Sequence, residues 1–229
     1  MNDIAVNDLS EQRTIADRTY DQLKNDIIDG KLAQGSKIVE EDLAREYGIS
    51  RGPLREAIRR LEGQKLVVRI PHAGARVVIL SRQMMSDIYA VREALEGLSA
   101  RLAAELMSDE KITALRQLLA QHEEGIKATD GKAYFQREGN LDFHYRIAEA
   151  SGNRWLIEHL YRDLYQLIRM CRHQSAKIPE RAAKALAEHH QIMEAIAQHD
   201  GELAEMLMRR HISGSWKIVR ELLPEEVHV

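Results

Sequence analysis

The hydrophobic pattern of the chain changes period twice, and this limits its architecture more than any other feature. Up to Gly63, apolar residues recur every three or four positions, as on a helix with one buried face. Two β-branched runs follow, "LVVRI" (66–70) and "ARVVIL" (75–80), around the turn sequence "PHAG" (71–74). That is the pattern of a single hairpin. From Ser81 onward there is no convincing strand and the helical period returns.

The first third places three helices before the hairpin. "DRTYDQLKNDIIDG" (17–30) carries Tyr20, Leu23 and Ile27 on one face and stops at Gly30. "VEEDLAREYG" (39–48) is short and ends at Gly48. Ser50 is placed to cap a third helix, its hydroxyl accepting from first-turn amides, and Pro53 fits that first turn. Three helices and a two-stranded wing predict a winged helix-turn-helix over 15–80, preceded by a flexible tail over 1–14. Residues 81–229 predict an all-α antiparallel bundle of six or seven helices. Their expected spans are 83–107, 108–129, 131–153, 154–175, 180–200 and 201–222, the third interrupted near Gly139. In the first of these, Ile88, Val91, Leu95, Leu98 and Leu102 are expected to face inward, and Ser108 to cap the second.

Composition agrees with a mainly α chain of 229 residues. Hydrophobic residues make up 44%, while 13 glycines and 4 prolines leave few helix breakers. The single cysteine, Cys171, excludes an internal disulfide framework and fits a reducing cytoplasm. The polar start "MNDIAVNDLSEQ" is not a signal peptide, and no stretch reaches the ~18 apolar residues of a membrane span. A soluble, cytoplasmic protein is expected. Residues 13–82 hold 14 basic and 10 acidic residues, net +4, whereas the rest is net −7, so the two parts are expected to meet different partners.

The third helix carries Arg51, Arg55 and Arg59 at four-residue spacing, away from Leu54, Ile58 and Leu61. Glu56 and Glu62 could neutralise part of that charge on an ordinary solvated face. The preceding short helix and the hairpin instead favour a recognition helix in the DNA major groove. Arginine's planar fork matches phosphate or the O6/N7 pair of guanine. Arg51 and Arg55 are best placed for base edges, and Arg59 for phosphate. The wing adds His72, Gly74 and Arg76.

Here the chain resembles a known family. "DLAREYGISRGPLREAIRRLEGQKLVVRIPHAGARVV" is similar to the N-terminal domain of GntR-type bacterial transcription regulators. The resemblance implies DNA contact by Arg51 and Arg55, with Ser50, Gly52 and Gly74 near the backbone. Glu41 stands where many members carry a DNA-contacting arginine, and Gln34 replaces a common proline before Gly35; the first implies fewer phosphate contacts.

In the body, His144, His189 and His211 each fall in phase with an apolar face, on three different helices. A bundle can bring such residues to one metal centre, although each could equally be a satisfied core histidine. "VREALE" (91–96), "FHYRIAEASGN" (143–153), "EHHQIMEAI" (188–196) and "DGELAEMLMRRHI" (200–212) resemble the FCD (FadR-type) effector domain of one GntR subfamily. The resemblance implies a divalent metal, zinc or nickel, on an Asp and three histidines. These map to His144, His189 and His211, with Asn140 where the Asp belongs. An amide oxygen is a weaker ligand than a carboxylate, so two readings stay open: a metal held by Asn140 and the histidines, or a pocket that takes its effector directly. His190 points ~100° away and is excluded.

Arg92 lies beside the inward stripe, and a buried guanidinium needs an anion. It either pairs with Glu96 or, with Glu96, lines the site of an effector carboxylate. The combined expectation is a homodimeric, metal-assisted transcription regulator, a repressor of a metabolic operon. It would bind a palindromic operator and respond to a small carboxylate. The run "ISRGPLREAIRRLEG…LVVRIPHAGARVV" is most similar to GntR regulators of propionate and methylcitrate catabolism, which implies 2-methylcitrate or a related acid. The alternatives are a helical metal-dependent enzyme fused to a DNA-binding head and an architectural DNA-binding dimer without effector. Against the enzyme, the chain has no HExxH, nucleophile elbow or phosphate-binding glycine loop.

Overall fold

The computed structural model describes residues 13–129, 141–175, 178 and 181–225. It divides into two compact units between Ile79 and Leu80. The fold is mainly α, as the pattern requires: ten α-helices and one two-stranded sheet among the described residues.

The first unit holds α1 (Ile15–Ile28), α2 (Glu40–Glu46), α3 (Arg51–Gly63), β1 (Val67–Ile70) and β2 (Gly74–Val77). Thr14 closes a capping box with Asp17, so α1 starts earlier than its apolar pattern suggests. The expected tail thus loses Thr14 to the helix cap; residues 1–12 lie outside the described residues. Leu23 and Ile27 of α1 and Leu54, Ile58 and Leu61 of α3 are all fully buried and form the core. Each contributes on the order of 1.5–3 kcal/mol of hydrophobic burial.

Ser50 stands at the N-cap of α3, but its hydroxyl accepts no capping hydrogen bond, contrary to expectation. One of the two amides an N-cap hydroxyl can use is missing: the third helical position is Pro53, which has no N–H to offer. The wing strands pair antiparallel, Val67 opposite Val77 and Ile70 opposite Gly74. His72 (φ 62°) and Gly74 (φ 87°) turn the chain at the tip. At its base, Gly35 has φ 76°, where any L side chain is strained, and a Cβ there would also push Ile79 Cδ1, 2.9 Å away, aside.

The second unit holds α4 (Arg82–Leu106), α5 (Asp109–Ala128), α6 (Phe143–Ala150), α7 (Arg154–Ile157), α8 (Tyr165–Ser175), α9 (Arg181–Ala197) and α10 (Gly201–Val219). Two expected helices are altered. The helix expected over 131–153 is described only from Phe143, where Asp142 caps it; residues 131–140 lie outside the described residues. The helix expected over 154–175 passes into a π-helical turn at Glu158–Asp163 and restarts at Tyr165. A π turn holds an extra residue, which re-phases the helix and brings Tyr165, Ile168 and Arg172 onto a common inward face.

The inward stripe of α4 also differs. Its buried residues include Met85, Ile88, Tyr89, Arg92, Glu96, Ser99, Ala100, Ala103 and Ala104. Val91 and Leu98 are 45% and 38% exposed, so the expected stripe is rotated outward by about one position in four. Small residues explain the rotation: α10 comes close enough that a Cβ on Gly97 would meet Arg209 Cγ at 2.7 Å. Ser108 stands at the N-cap of α5, but its hydroxyl makes no capping hydrogen bond. No helix among the described residues is long and apolar enough to cross a membrane.

Candidate DNA-reading face and metal centre

Leu54, Ala57, Ile58 and Leu61 anchor α3, which leaves Arg51, Gly52, Arg55 and Arg59 exposed on its other side. Ser50 is exposed at the helix start. The arginines do not stand alone. Arg55 Nε donates to Glu40 Oε2 at 2.6 Å, Arg51 Nη2 lies 3.1 Å from Glu41 Oε2, and Arg59 Nη1 donates to Glu56 at 3.0 Å. Glu62, expected to temper this face, instead pairs with Arg69 of the wing at 2.7 Å. His72 is exposed at the wing tip, next to Gly74. Arg76 is only half exposed, and its Nη1 donates to the Gly35 carbonyl at 2.9 Å, which ties the wing to its base.

In the second unit, His144 on α6, His189 on α9 and His211 on α10 come together, all buried, with one ligand atom from each within 4.8 Å of the others. Two of them are oriented by carboxylates. His144 Nδ1 donates to Glu96 Oε2 at 2.6 Å, and His211 Nδ1 donates to Glu188 Oε2 at 2.7 Å. Those bonds leave the Nε2 lone pairs of both rings for the centre. His189 Nε2 lies 3.2 Å from His211 Nε2, so in the metal-free centre the two nitrogens share one proton, which a bound ion would displace. Phe143 stacks on His189 at 4.4 Å and fixes that ring from outside.

The donor set fits a zinc-like divalent ion. Two imidazoles on one tetrahedral zinc place their nitrogens ~3.3 Å apart; the His189–His211 pair stands at 3.2 Å, and all three ligand atoms lie within 4.8 Å of one another. Carboxylates on the far ring nitrogens are the usual supports of such ligands. Asn140, the expected fourth ligand, lies outside the described residues. Asp142 is otherwise engaged: Oδ1 accepts from the His144 and Tyr145 amides, and Oδ2 accepts from Arg172 Nη1 at 2.9 Å and from the Tyr165 hydroxyl at 3.2 Å.

Arg92 and Glu96 form an internal ion pair, Nε to Oε1 2.6 Å, both almost fully buried. Arg92 also lies over the Tyr89 ring at 4.6 Å. Glu96 therefore serves two partners, one with each oxygen. Burial opposes its charge, but Arg92 and then His144 outweigh that and hold the carboxyl well below the usual range.

Burial acts in the opposite direction on the histidines. It lowers the pKa of His144, with Arg172 adding to the effect, and that of His189, with His211 and His144 adding to it. His211 falls to about 4, burial prevailing over the support of Glu188. Each ring therefore binds a proton more readily in the unfolded chain than in the folded one. The part of the metal-free protein's stability linked to His211 is then complete above pH ~6.5 and lost as pH falls toward 4, by about 1.4 kcal/mol per pH unit, and His144 and His189 act in the same direction. Urea unfolding between pH 7 and 5 is expected to show that slope. A flat profile over this range would mean the rings are charged in the folded state.

The family comparison decides what carries these two sites. A model of bacterial regulatory proteins of the gntR family matches residues 15–77, and an FCD domain model matches residues 87–214. The FCD match alone spans more than half the chain. The protein belongs to the GntR family, with an FCD domain. The HTH-type transcriptional regulator YdhC of Bacillus subtilis is 30% identical over 90% of this chain and 91% of its own. The HTH-type transcriptional repressor RspR of Escherichia coli is 24% identical over 95% and 94%. Among solved structures, E. coli McbR/YncC shares the fold with a TM-score of 0.72 at 19% identity, covering 92% of this chain and 99% of that one. This GntR protein is thus a DNA-binding transcription regulator.

Sequence reasoning missed Glu188, Arg172 and Phe143 as parts of the centre. Arg172 carried the same signal as Arg92, an arginine in phase with apolar residues, here Tyr165 and Ile168. Glu188 directly precedes His189, but its partner His211 lies on another helix, and no spacing rule shows that.

Proposed function

We propose that this GntR regulator is a homodimeric repressor whose FCD domain holds a divalent metal on His144, His189 and His211 and senses a small carboxylate there. The observation that carries the reading is the convergence of three buried, neutral imidazoles with two carboxylates behind them. Three uncharged ligands leave the ion's positive charge largely uncompensated, which favours an anionic effector. Arg92 and Glu96 border the centre through His144, so an effector that alters their pairing is coupled to α4. The outward stripe on α4, with Val91, Leu98 and Leu106 exposed, supports a second copy covering that face. Arg51, Arg55 and Arg59, with Ser50, Gly52 and the wing residues His72, Gly74 and Arg76, form the DNA-reading surface.

The test starts from a duplex selected out of a random pool by the protein itself. Zinc-loaded protein is titrated with di- and tricarboxylates, 2-methylcitrate first, while duplex affinity is followed. At least one acid is expected to change affinity 5- to 150-fold, the usual span of such coupling, and a His144→Ala protein to be unresponsive. Consumption of the acid would overturn the reading in favour of catalysis. Indifference of zinc-loaded protein to every acid would reduce it to an architectural dimer.

A further inference from the structure

The two carboxylates opposite the recognition helix are not equivalent. Glu40 Oε2 accepts from Arg55 Nε at 2.6 Å in an aligned hydrogen bond, and the Glu40 side chain is 29% exposed. Glu41 Oε2 stands 3.1 Å from Arg51 Nη2 without hydrogen-bond alignment, the Glu41 side chain is 64% exposed, and its other oxygen lies 3.9 Å from Arg45. The first is a directed contact from a half-buried base. The second is a solvated charge shared between two arginines, of the kind that contributes little by itself.

The atom that Glu40 binds matters. A guanidinium reads the O6/N7 pair of guanine with two parallel N–H donors, and end-on this uses Nη1 and Nη2. Holding Nε leaves that end unencumbered: among the described residues, Nη1 and Nη2 of Arg55 make no hydrogen bond. Without Glu40, Arg55 is a long exposed side chain able to sample many rotamers, and ordering it on DNA costs entropy. It would then settle on the nearest phosphate as readily as on a base.

We infer that Glu40 is a positioning residue for sequence discrimination, holding Arg55 by Nε so that its terminal edge meets a base, whereas Glu41 is an intramolecular competitor that a DNA phosphate must displace from Arg51. The inference rests on α3 being the DNA-reading helix. It assigns opposite consequences to neighbouring acids in one helical turn. Glu40 raises the ratio of specific to non-specific affinity. Glu41 lowers affinity for every sequence and makes it less sensitive to salt.

The experiment uses the full chain, the selected duplex and a scrambled duplex of equal length, with affinities measured across a potassium chloride series. Glu40→Gln is expected to lower the selected-to-scrambled ratio about tenfold, within what one bidentate arginine supplies, and repeating the selection should relax the preference at one base pair per half-site. Glu41→Gln is expected to tighten both duplexes alike and to steepen the salt slope by about one unit. A helix defect would weaken both duplexes together and leave the selected preference intact, so the ratio separates positioning from damage; Glu40→Ala gives a second variant. Arg55→Ala is the control on the underlying reading. If it leaves the ratio unchanged, Arg55 reads no base and the role of Glu40 falls with it. If it abolishes the ratio while both Glu40 variants retain it, the reading stands and the role of Glu40 is refuted.

Discussion

Glu96→Ala is expected to destabilise the FCD domain by about 3–5 kcal/mol, the range found when one partner of a buried ion pair is removed. Arg92 is 2% exposed and Glu96 3% exposed, and one carboxylate satisfies both the Arg92 guanidinium and the His144 Nδ1 proton. Alanine leaves that cation, among the described residues, with the Tyr89 ring, and frees His144 to turn. The attraction lost is smaller than the cost of leaving the charge buried and unpaired, so the size of the effect depends on burial, not on the pair's own strength. Replacing both residues together, Arg92→Met with Glu96→Leu, is accordingly expected to recover most of the loss. Both tryptophans, Trp155 and Trp216, lie in the second unit, so fluorescence-detected urea unfolding reports this unit alone. A loss below about 1 kcal/mol would mean that Arg92 has a second anion.

That pair also marks the limit of what the sequence reveals. Arg92 and Glu96 four residues apart on a helix were recognisable as partners, because the spacing stacks them on one face. The winged unit was legible for the same reason: its elements are local, and the period change at Gly63 and the β-branched runs each point to one conformation. The outward rotation of α4 was not. Val91 and Leu98 are apolar, and hydrophobicity cannot say whether a stripe meets its own bundle or another surface; alanine and glycine, which let α10 approach, carry little hydrophobic signal. The π turn at Glu158–Asp163 was missed because one extra residue in a turn leaves no mark in composition. The three histidines could be found one by one by phase. Glu188 and Arg172, which support the centre from other helices, depend on how those helices cross.

Zinc added to metal-free protein is expected to raise its unfolding free energy by about 4 kcal/mol at a free concentration a thousandfold above the dissociation constant, and His189→Ala to abolish that gain. The folded chain presents the imidazoles already buried and neutral, so little reorganisation opposes binding, while the unfolded chain has no converged site. His189 is the informative ligand. Its ring is held by Phe143 stacking and by His211, and its removal leaves the Glu96–His144 and Glu188–His211 pairs in place. A general loss of folding is therefore separable from loss of zinc response, because the variant's own melting curve without metal serves as reference. Glu188→Ala is expected to weaken zinc by 10- to 100-fold through His211, as removal of such a supporting carboxylate typically does, and it also takes the carboxylate from Arg181, whose Nη1 lies 3.4 Å from Glu188 Oε2. Elemental analysis of untagged protein purified without chelator supplies the complementary number, expected near one divalent ion per chain. Protein that emerges metal-free and melts unchanged in zinc would remove the ion from the mechanism and leave three neutral histidines as the lining of a pocket that meets its ligand directly.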